Sequence, residues 1–250
     1  MGDTSKIQWT EATWNPWHGC QKVSPGCKYC YMYRDKDRYG QDPTAVLRSK
    51  SNFNAPLKWD EGKLIFTCSW SDFFIEDADE WRDEAWDIIR KTPQHTYQIL
   101  TKRPERILQC LPYDWGIGYE NVWIGVSVED QARANERIPV LQNIPARIRF
   151  LSCEPLLGEI NLGDTEGIHW MIIGGESGNE TGKYRYRECW PVWMLKLITL
   201  GRLRGIPVFL KQVGTSTAKK WELKDRFGGN IDELPEPFQV RQMPWAYKND

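Results

Sequence analysis

Short apolar runs alternate along this chain with longer stretches in which apolar residues recur every three or four positions. The runs Leu64–Cys68 (LIFTC), Thr96–Leu100 (TYQIL), Asn121–Val128 (NVWIGVSV), Arg147–Ser152 (RIRFLS), His169–Ile173 (HWMII) and Ile206–Leu210 (IPVFL) read as strands, and Ile7–Thr10 as a first one. Between them, DEWRDEAWDIIRK from Asp79 puts Trp81, Ala85, Ile88 and Ile89 on one helical face. Pro104 opens a short helix, PERILQCL, and Pro191 opens another that runs to about Leu203. Asp130 is placed to cap QARANERI. Near-continuous apolar strands separated by helices imply a parallel sheet covered on both faces. The expected fold is α/β, a partial (β/α) barrel of about six to seven parallel strands over residues 1–213. Residues 214–250, rich in Gly, Pro and charge, are expected to wrap the barrel end. An open doubly wound sheet is the alternative.

Composition narrows the class without naming a partner. With 33 basic and 34 acidic residues in 250, the net charge of −1 demands no nucleic-acid partner, although it hides local grooves. The 14 Trp are an excess that suits core packing, or a platform for stacking a base. Met1 is followed by Gly-Asp-Thr-Ser-Lys with no apolar run, so neither a secretory leader nor a membrane span is expected, and the chain is placed in the cytoplasm. In a reducing compartment, 7 Cys point to metal or catalysis rather than disulfides.

In parallel α/β folds the active site lies at the carboxyl ends of the strands. Those ends carry Ser69, Ser71 and Asp72; Thr101, Lys102 and Arg103; Ser127 and Glu129; Ser152 and Glu154; Glu176 and Ser177; Lys211 and Gln212. Three glutamates, Glu129, Glu154 and Glu176, each follow an apolar strand by a few residues, and Pro155 restricts Glu154 to extended geometry. Lys102 and Arg103 read as paired cations for a phosphate. The strongest signal is NPWHGCQKVSPGCKYCYMYR, in which six residues separate Cys20 from Cys27 and two separate Cys27 from Cys30. Pro25-Gly26 makes a turn before Cys27. Iron–sulfur clusters and zinc both take thiolates. Three ligands leave a position open for chemistry, whereas His18 as a fourth would close a Cys3His zinc site. Cys68 and Cys153, also at strand ends, suit plain packing.

The three-cysteine loop, with Tyr29 before the last Cys, resembles the cluster loop of the radical S-adenosylmethionine superfamily. The wider chain resembles a phage and bacterial three-Cys-motif family of unknown function, and is spore photoproduct lyase-like. The segments TWNPWHGCQKVSPGCKYCY, SDFFIEDADEW, LTKRPER, VWIGVSVEDQ, LSCEPLLG, IIGGESG and FLKQ carry this likeness from Thr13 to Gln212. The resemblance implies a [4Fe–4S] cluster on Cys20, Cys27 and Cys30, with S-adenosyl-L-methionine chelating the fourth iron. It implies an enzyme that makes a deoxyadenosyl radical for modification or repair; by analogy with superfamily members that act on bases, a nucleic acid or nucleotide is the candidate substrate, with a protein or peptide left open. An electron donor such as a flavodoxin or ferredoxin is implied, and a three-Cys-motif partner protein is a further candidate. Two features depart from the superfamily pattern: the first cysteine gap is six residues rather than three, and Gly174-Gly175-Glu176 follows a late strand. Asp72 with Ser69 is therefore assigned to the methionine amino group, with Ser71, Lys102, Ser127 and Glu129 as further cofactor contacts. Glu154, Glu176 and Lys211 are expected beside the substrate. A zinc-stabilised binding module, and a partner protein whose cluster is only structural, are the alternatives.

Overall fold

The computed structural model describes residues 4–244. Its strands are β1 (Ala12–Trp14), β2 (Trp17–His18), β3 (Leu47–Arg48), β4 (Leu64–Thr67), β5 (Thr96–Thr101), β6 (Val122–Ser127), β7 (Ile148–Cys153), β8 (Trp170–Gly174) and β9 (Val208–Gln212). Its helices are α1 (Tyr31–Arg38), α2 (Asp79–Lys91), α3 (Gln131–Gln142), α4 (Pro191–Arg204) and α5 (Thr215–Lys220). Seven parallel strands form one sheet in the order β1-β4-β5-β6-β7-β8-β9, the strand set of a partial β/α barrel. β2 and β3 pair separately and antiparallel.

The first strand is not where the apolar pattern put it. Ile7–Thr10 forms a turn, with the Thr10 amide donating to the Ile7 carbonyl at 3.2 Å, and β1 starts at Ala12. Thr10 instead uses its hydroxyl as a stand-in for a strand residue: Oγ1 donates to the Leu64 carbonyl at 3.0 Å and accepts from the Phe66 amide at 3.0 Å. The segment PERILQCL forms two 3-10 turns, Pro104–Arg106 and Leu108–Cys110, rather than one helix.

The chain divides into two compact units, residues 1–23, 31–126 and 143–147 in one and residues 24–30, 127–142 and 148–250 in the other. In the first, every residue of β4 is buried, and α2 buries Ala85, Trp86, Ile88 and Ile89. Trp86 stacks edge-on to Phe73 with centroids 4.9 Å apart, and its indole donates to the Cys110 carbonyl at 2.9 Å. Side chains of this size each contribute about 1.5–3 kcal/mol when fully buried. Five of the 14 tryptophans, Trp14, Trp17, Trp86, Trp123 and Trp170, are fully enclosed in this way.

In the second unit, Asp130 caps α3 as its position implies, accepting from the Arg133 amide at 2.8 Å. α4 buries Met194, Leu197, Ile198 and Gly201 and stops at Gly205, whose φ of +66° takes the left-handed turn that glycine tolerates. After α5 the chain returns along β9. There the Leu210 amide donates to the Val240 carbonyl at 2.9 Å, covering an edge that would otherwise be open to another strand. Among the described residues no helix is long and apolar enough to cross a membrane.

Candidate metal-binding loop and its supports

Cys20 follows β2 at a backbone position only glycine can prepare. Gly19 has φ +97°, and a Cβ there would sit 2.0 Å from the Ala45 carbonyl oxygen. The loop is then tied to the end of β4: the Gly19 amide donates to the Trp70 carbonyl at 3.0 Å, and the Ser71 hydroxyl donates to the Gly19 carbonyl at 2.5 Å. Ser69 is engaged with Asn15, whose amide nitrogen donates to its Oγ at 3.0 Å.

A buried relay runs from the β4 and β5 ends to the Cys20 sulfur. Asp72 Oδ1 accepts from the Thr101 hydroxyl at 2.7 Å and the Phe74 amide at 3.0 Å. Its Oδ2 accepts from the Lys102 amide at 2.9 Å and lies 3.3 Å from Arg103. Arg103 in turn donates to the Gln21 carbonyl at 3.0 Å and to Cys20 Sγ at 3.8 Å. Burial pulls the Arg103 pKa down, but Asp72 and then Cys20 outweigh it, and the net shift is upward. A fixed cation beside a sulfur favours the thiolate. Arg103 is therefore engaged with Asp72, Gln21 and Cys20. Replacing Arg103 with Met should slow alkylation of Cys20 by iodoacetamide at neutral pH by roughly three- to tenfold, with Lys retaining part of the rate. Peptide mapping after a short pulse measures this, and an unchanged rate removes Arg103 as a thiolate support.

Cys27 and Cys30 belong to the second unit, in a turn held from two sides. The Cys30 amide donates to the Cys27 carbonyl at 3.4 Å, and the Cys27 amide to the Ser24 carbonyl at 3.0 Å. From the β6 end, Glu129 Oε1 accepts from the Gly26 amide at 3.3 Å. Glu129 and its partner Arg137 are 0% and 2% exposed, joined at 3.0 Å, and Arg137 also donates to the Ser127 carbonyl at 2.9 Å. From the β8 end, Glu176 accepts from Arg187 at 2.6 and 2.9 Å. Arg187 then donates to the Pro25 carbonyl at 3.0 Å and lies 5.3 Å from the Tyr29 ring centre. Ser127, Glu129 and Glu176 are thus buried, and Glu129 and Glu176 brace the cysteine turn, Glu129 directly and Glu176 through Arg187. Arg137 and Arg187, which complete those supports, carry no spacing signal in the sequence.

The glycine pair before Glu176 has a steric purpose. A Cβ on Gly174 would meet the Glu154 carboxylate at 3.0 Å, and one on Gly175 would meet the Val213 carbonyl at 2.2 Å. Over Gly174, Glu154 reaches Lys211 at 2.6 Å, joining the ends of β7 and β9. These two side chains are 20% and 22% exposed, so this ion pair stays in reach of solvent. Replacing Gly174 with Ala should push the pair apart and destabilise the fold by about 1–3 kcal/mol, the usual cost of overpacking. Chemical denaturation measures it, and an unchanged midpoint contradicts the contact.

The cysteines fall into two classes. Cys20, Cys27 and Cys30 are half-exposed, and Cys68, Cys110, Cys153 and Cys189 are buried. Burial drives the Cys68 thiol well above its ordinary value and pushes Cys153 and Cys189 each up to about 12, so these stay protonated at neutral pH. His18 faces Lys36, with Nδ1 2.8 Å from Nζ, and burial followed by that neighbour lowers its pKa. Among the described residues, no three His, Cys, Asp or Glu side chains stand together as a metal-holding group.

No curated protein and no solved structure matches this chain. The family model described as "Protein of unknown function (DUF5131)" matches residues 4–237, nearly the whole of the 250. The chain therefore belongs to that family.

Proposed function

We propose that this protein is a radical S-adenosylmethionine enzyme holding a [4Fe–4S] cluster on Cys20, Cys27 and Cys30. The observation that carries the reading is the division among the cysteines: four are buried, and the three in the loop are half-exposed. Thiolates are what such a cluster takes, and three of them leave one iron open. Metals commonly complete their own sites on binding, so a preformed ligand set is not required. The contact of His18 Nδ1 with Lys36 Nζ at 2.8 Å disfavours a closed Cys3His zinc site.

When bound, the cluster supplies one electron, received from a flavodoxin or ferredoxin, to split S-adenosylmethionine into methionine and a deoxyadenosyl radical that takes a hydrogen atom from substrate. The chain's own part is orientation and charge. Arg103, held by Asp72, places a cation against the Cys20 sulfur. Glu129 and the Glu176–Arg187 pair fix the turn that presents Cys27 and Cys30. Ser69, Ser71 and Lys102 are part-exposed beside the β4 and β5 ends and suit the polar groups of the cofactor. Glu154 and Lys211, paired and solvent-accessible, suit holding or passing a proton near the substrate. Asp72 serves as a positioning residue, because its four partners already use its acceptor sites.

Anaerobically reconstituted protein, reduced with dithionite, should convert S-adenosylmethionine to methionine and deoxyadenosine. A brown protein that leaves it intact points to a structural cluster, and a colourless one holding zinc points to a binding module; either removes the proposal.

A further inference from the structure

The loop after β8 carries a run that the cysteine supports only partly use, Lys183-Tyr184-Arg185-Tyr186-Arg187. It is a built loop. The Asn179 amide donates to the Tyr184 carbonyl at 3.0 Å, and a Cβ on Gly178 would meet the Arg185 carbonyl at 2.2 Å. Tyr184 is buried beneath it, while Lys183 and Arg185 are exposed and Tyr186 is half-exposed. Arg226 joins from the segment after α5, donating to the Gly178 carbonyl at 3.3 Å and the Asn179 side chain at 3.4 Å, with its guanidinium 4.6 Å from the Phe227 ring centre. On the loop's other flank Lys219 pairs with Glu180 at 2.6 Å, and Lys220 lies 4.9 Å from the ring centre of Trp190, which is 49% exposed.

The charges on this strip are not equivalent. Lys219 and Lys220 are neutralised by Glu180 and Glu188. Arg185 donates to the Gly182 carbonyl, and Arg226 to a carbonyl and an amide; among the described residues neither pairs with a carboxylate. Two exposed guanidinium groups thus share this strip with the half-exposed Tyr186 and the exposed Trp190, in a chain whose net charge is only −1. Guanidinium forks match phosphate oxygens, and aromatic faces stack on bases of any sequence. An acidic peptide would use the cations and leave the rings idle.

We infer that this strip binds single-stranded nucleic acid, with Arg185 and Arg226 on phosphates and Tyr186 and Trp190 as stacking faces. The loop leaves the carboxyl end of β8, the strand end from which Glu176 and Arg187 hold the cysteine turn. That placement makes the bound strand the substrate class of the proposed radical enzyme, and only that consequence rests on the radical reading.

The test uses full-length protein without iron and a fluorescent oligothymidylate of about 16 nucleotides, within the usual range of site sizes, with anisotropy read across a salt series. Affinity should fall as salt rises. Removing two phosphate contacts with Arg185→Gln and Arg226→Gln together should flatten the logarithmic slope by about 1.4, at ~0.7 per phosphate on a single strand. The double Lys variant should keep the slope, which separates lost charge from lost fold. Tyr186→Ala with Trp190→Ala should weaken binding at least about tenfold at fixed salt and leave the slope alone. Absent or salt-independent binding, an Arg double variant with an unchanged slope, or equal affinity for polyglutamate would overturn the inference. Because the assay needs no cluster, its failure leaves cleavage of S-adenosylmethionine untouched, and the reverse also holds.

Discussion

Alanine at Cys20, Cys27 or Cys30, each alone, is expected to abolish binding of the roughly four irons that one cluster supplies. The loop offers three half-exposed thiols and no spare. The nearest alternatives do not serve. The Cys68 thiol is buried and pushed upward by burial and by Asp72, and Cys153 is pushed up to about 12 by burial and then by Glu129. A metal that bound either would first have to strip a proton that the environment holds in place. Alanine at Cys68, Cys153 or Cys189 should therefore leave the iron content near the wild-type level. Iron and labile sulfide measured after anaerobic reconstitution decide the matter. Iron retained in all three loop variants would sink the assignment, and loss of one zinc from the His18→Ala variant would move it to the zinc reading.

The largest effect on stability is expected from Glu129→Ala. Glu129 and Arg137 are both buried, and removing one partner leaves a charge without compensation in the interior. Breaking such a pair costs about 3–5 kcal/mol. At ~2–4 °C per kcal/mol for a chain of 250 residues, the Tm should fall by roughly 6–20 °C. The same change frees the Gly26 amide and loosens the turn that presents Cys27 and Cys30. Replacing both partners, Glu129→Leu with Arg137→Met, should recover much of the Tm, because an apolar pair of similar volume carries no desolvation penalty. It should not recover the anchor on Gly26, so iron affinity should stay reduced. A Glu129→Ala variant with wild-type Tm would contradict the buried pair.

The strands were legible because parallel strands buried on both faces leave unbroken apolar runs, as in LIFT of β4, VWIGVS of β6 and WMIIG of β8. β1 was misplaced because three residues give no period, and because Thr10 imitates a strand residue through its hydroxyl. The β2–β3 pair has two residues a side, and α1 is mostly charged and too short for a clear apolar face, so neither left a mark in the pattern. At the site, the cysteine spacing and the recurring strand-end glutamates were legible as positions. Their roles were not, because each role is set by a partner from another element: Asp72 by Arg103, Glu129 by Arg137, Glu154 by Lys211 and Glu176 by Arg187. Charge type and spacing in one sequence do not say which cation meets which carboxylate. Asp72 and Glu129 are closed off with their partners, whereas Glu154 and Lys211 stay partly open to solvent and Arg187 does so on the Glu176 pair.

The central claim is that three thiolates hold a cluster with one iron left for S-adenosylmethionine. Electron paramagnetic resonance of the dithionite-reduced protein, recorded with and without S-adenosylmethionine, tests it most directly. The account predicts a reduced-cluster signal whose g-values shift on adding S-adenosylmethionine and do not shift on adding methionine-free adenosine. A signal that S-adenosylmethionine leaves unchanged, or a protein with no iron signal at all, would contradict it.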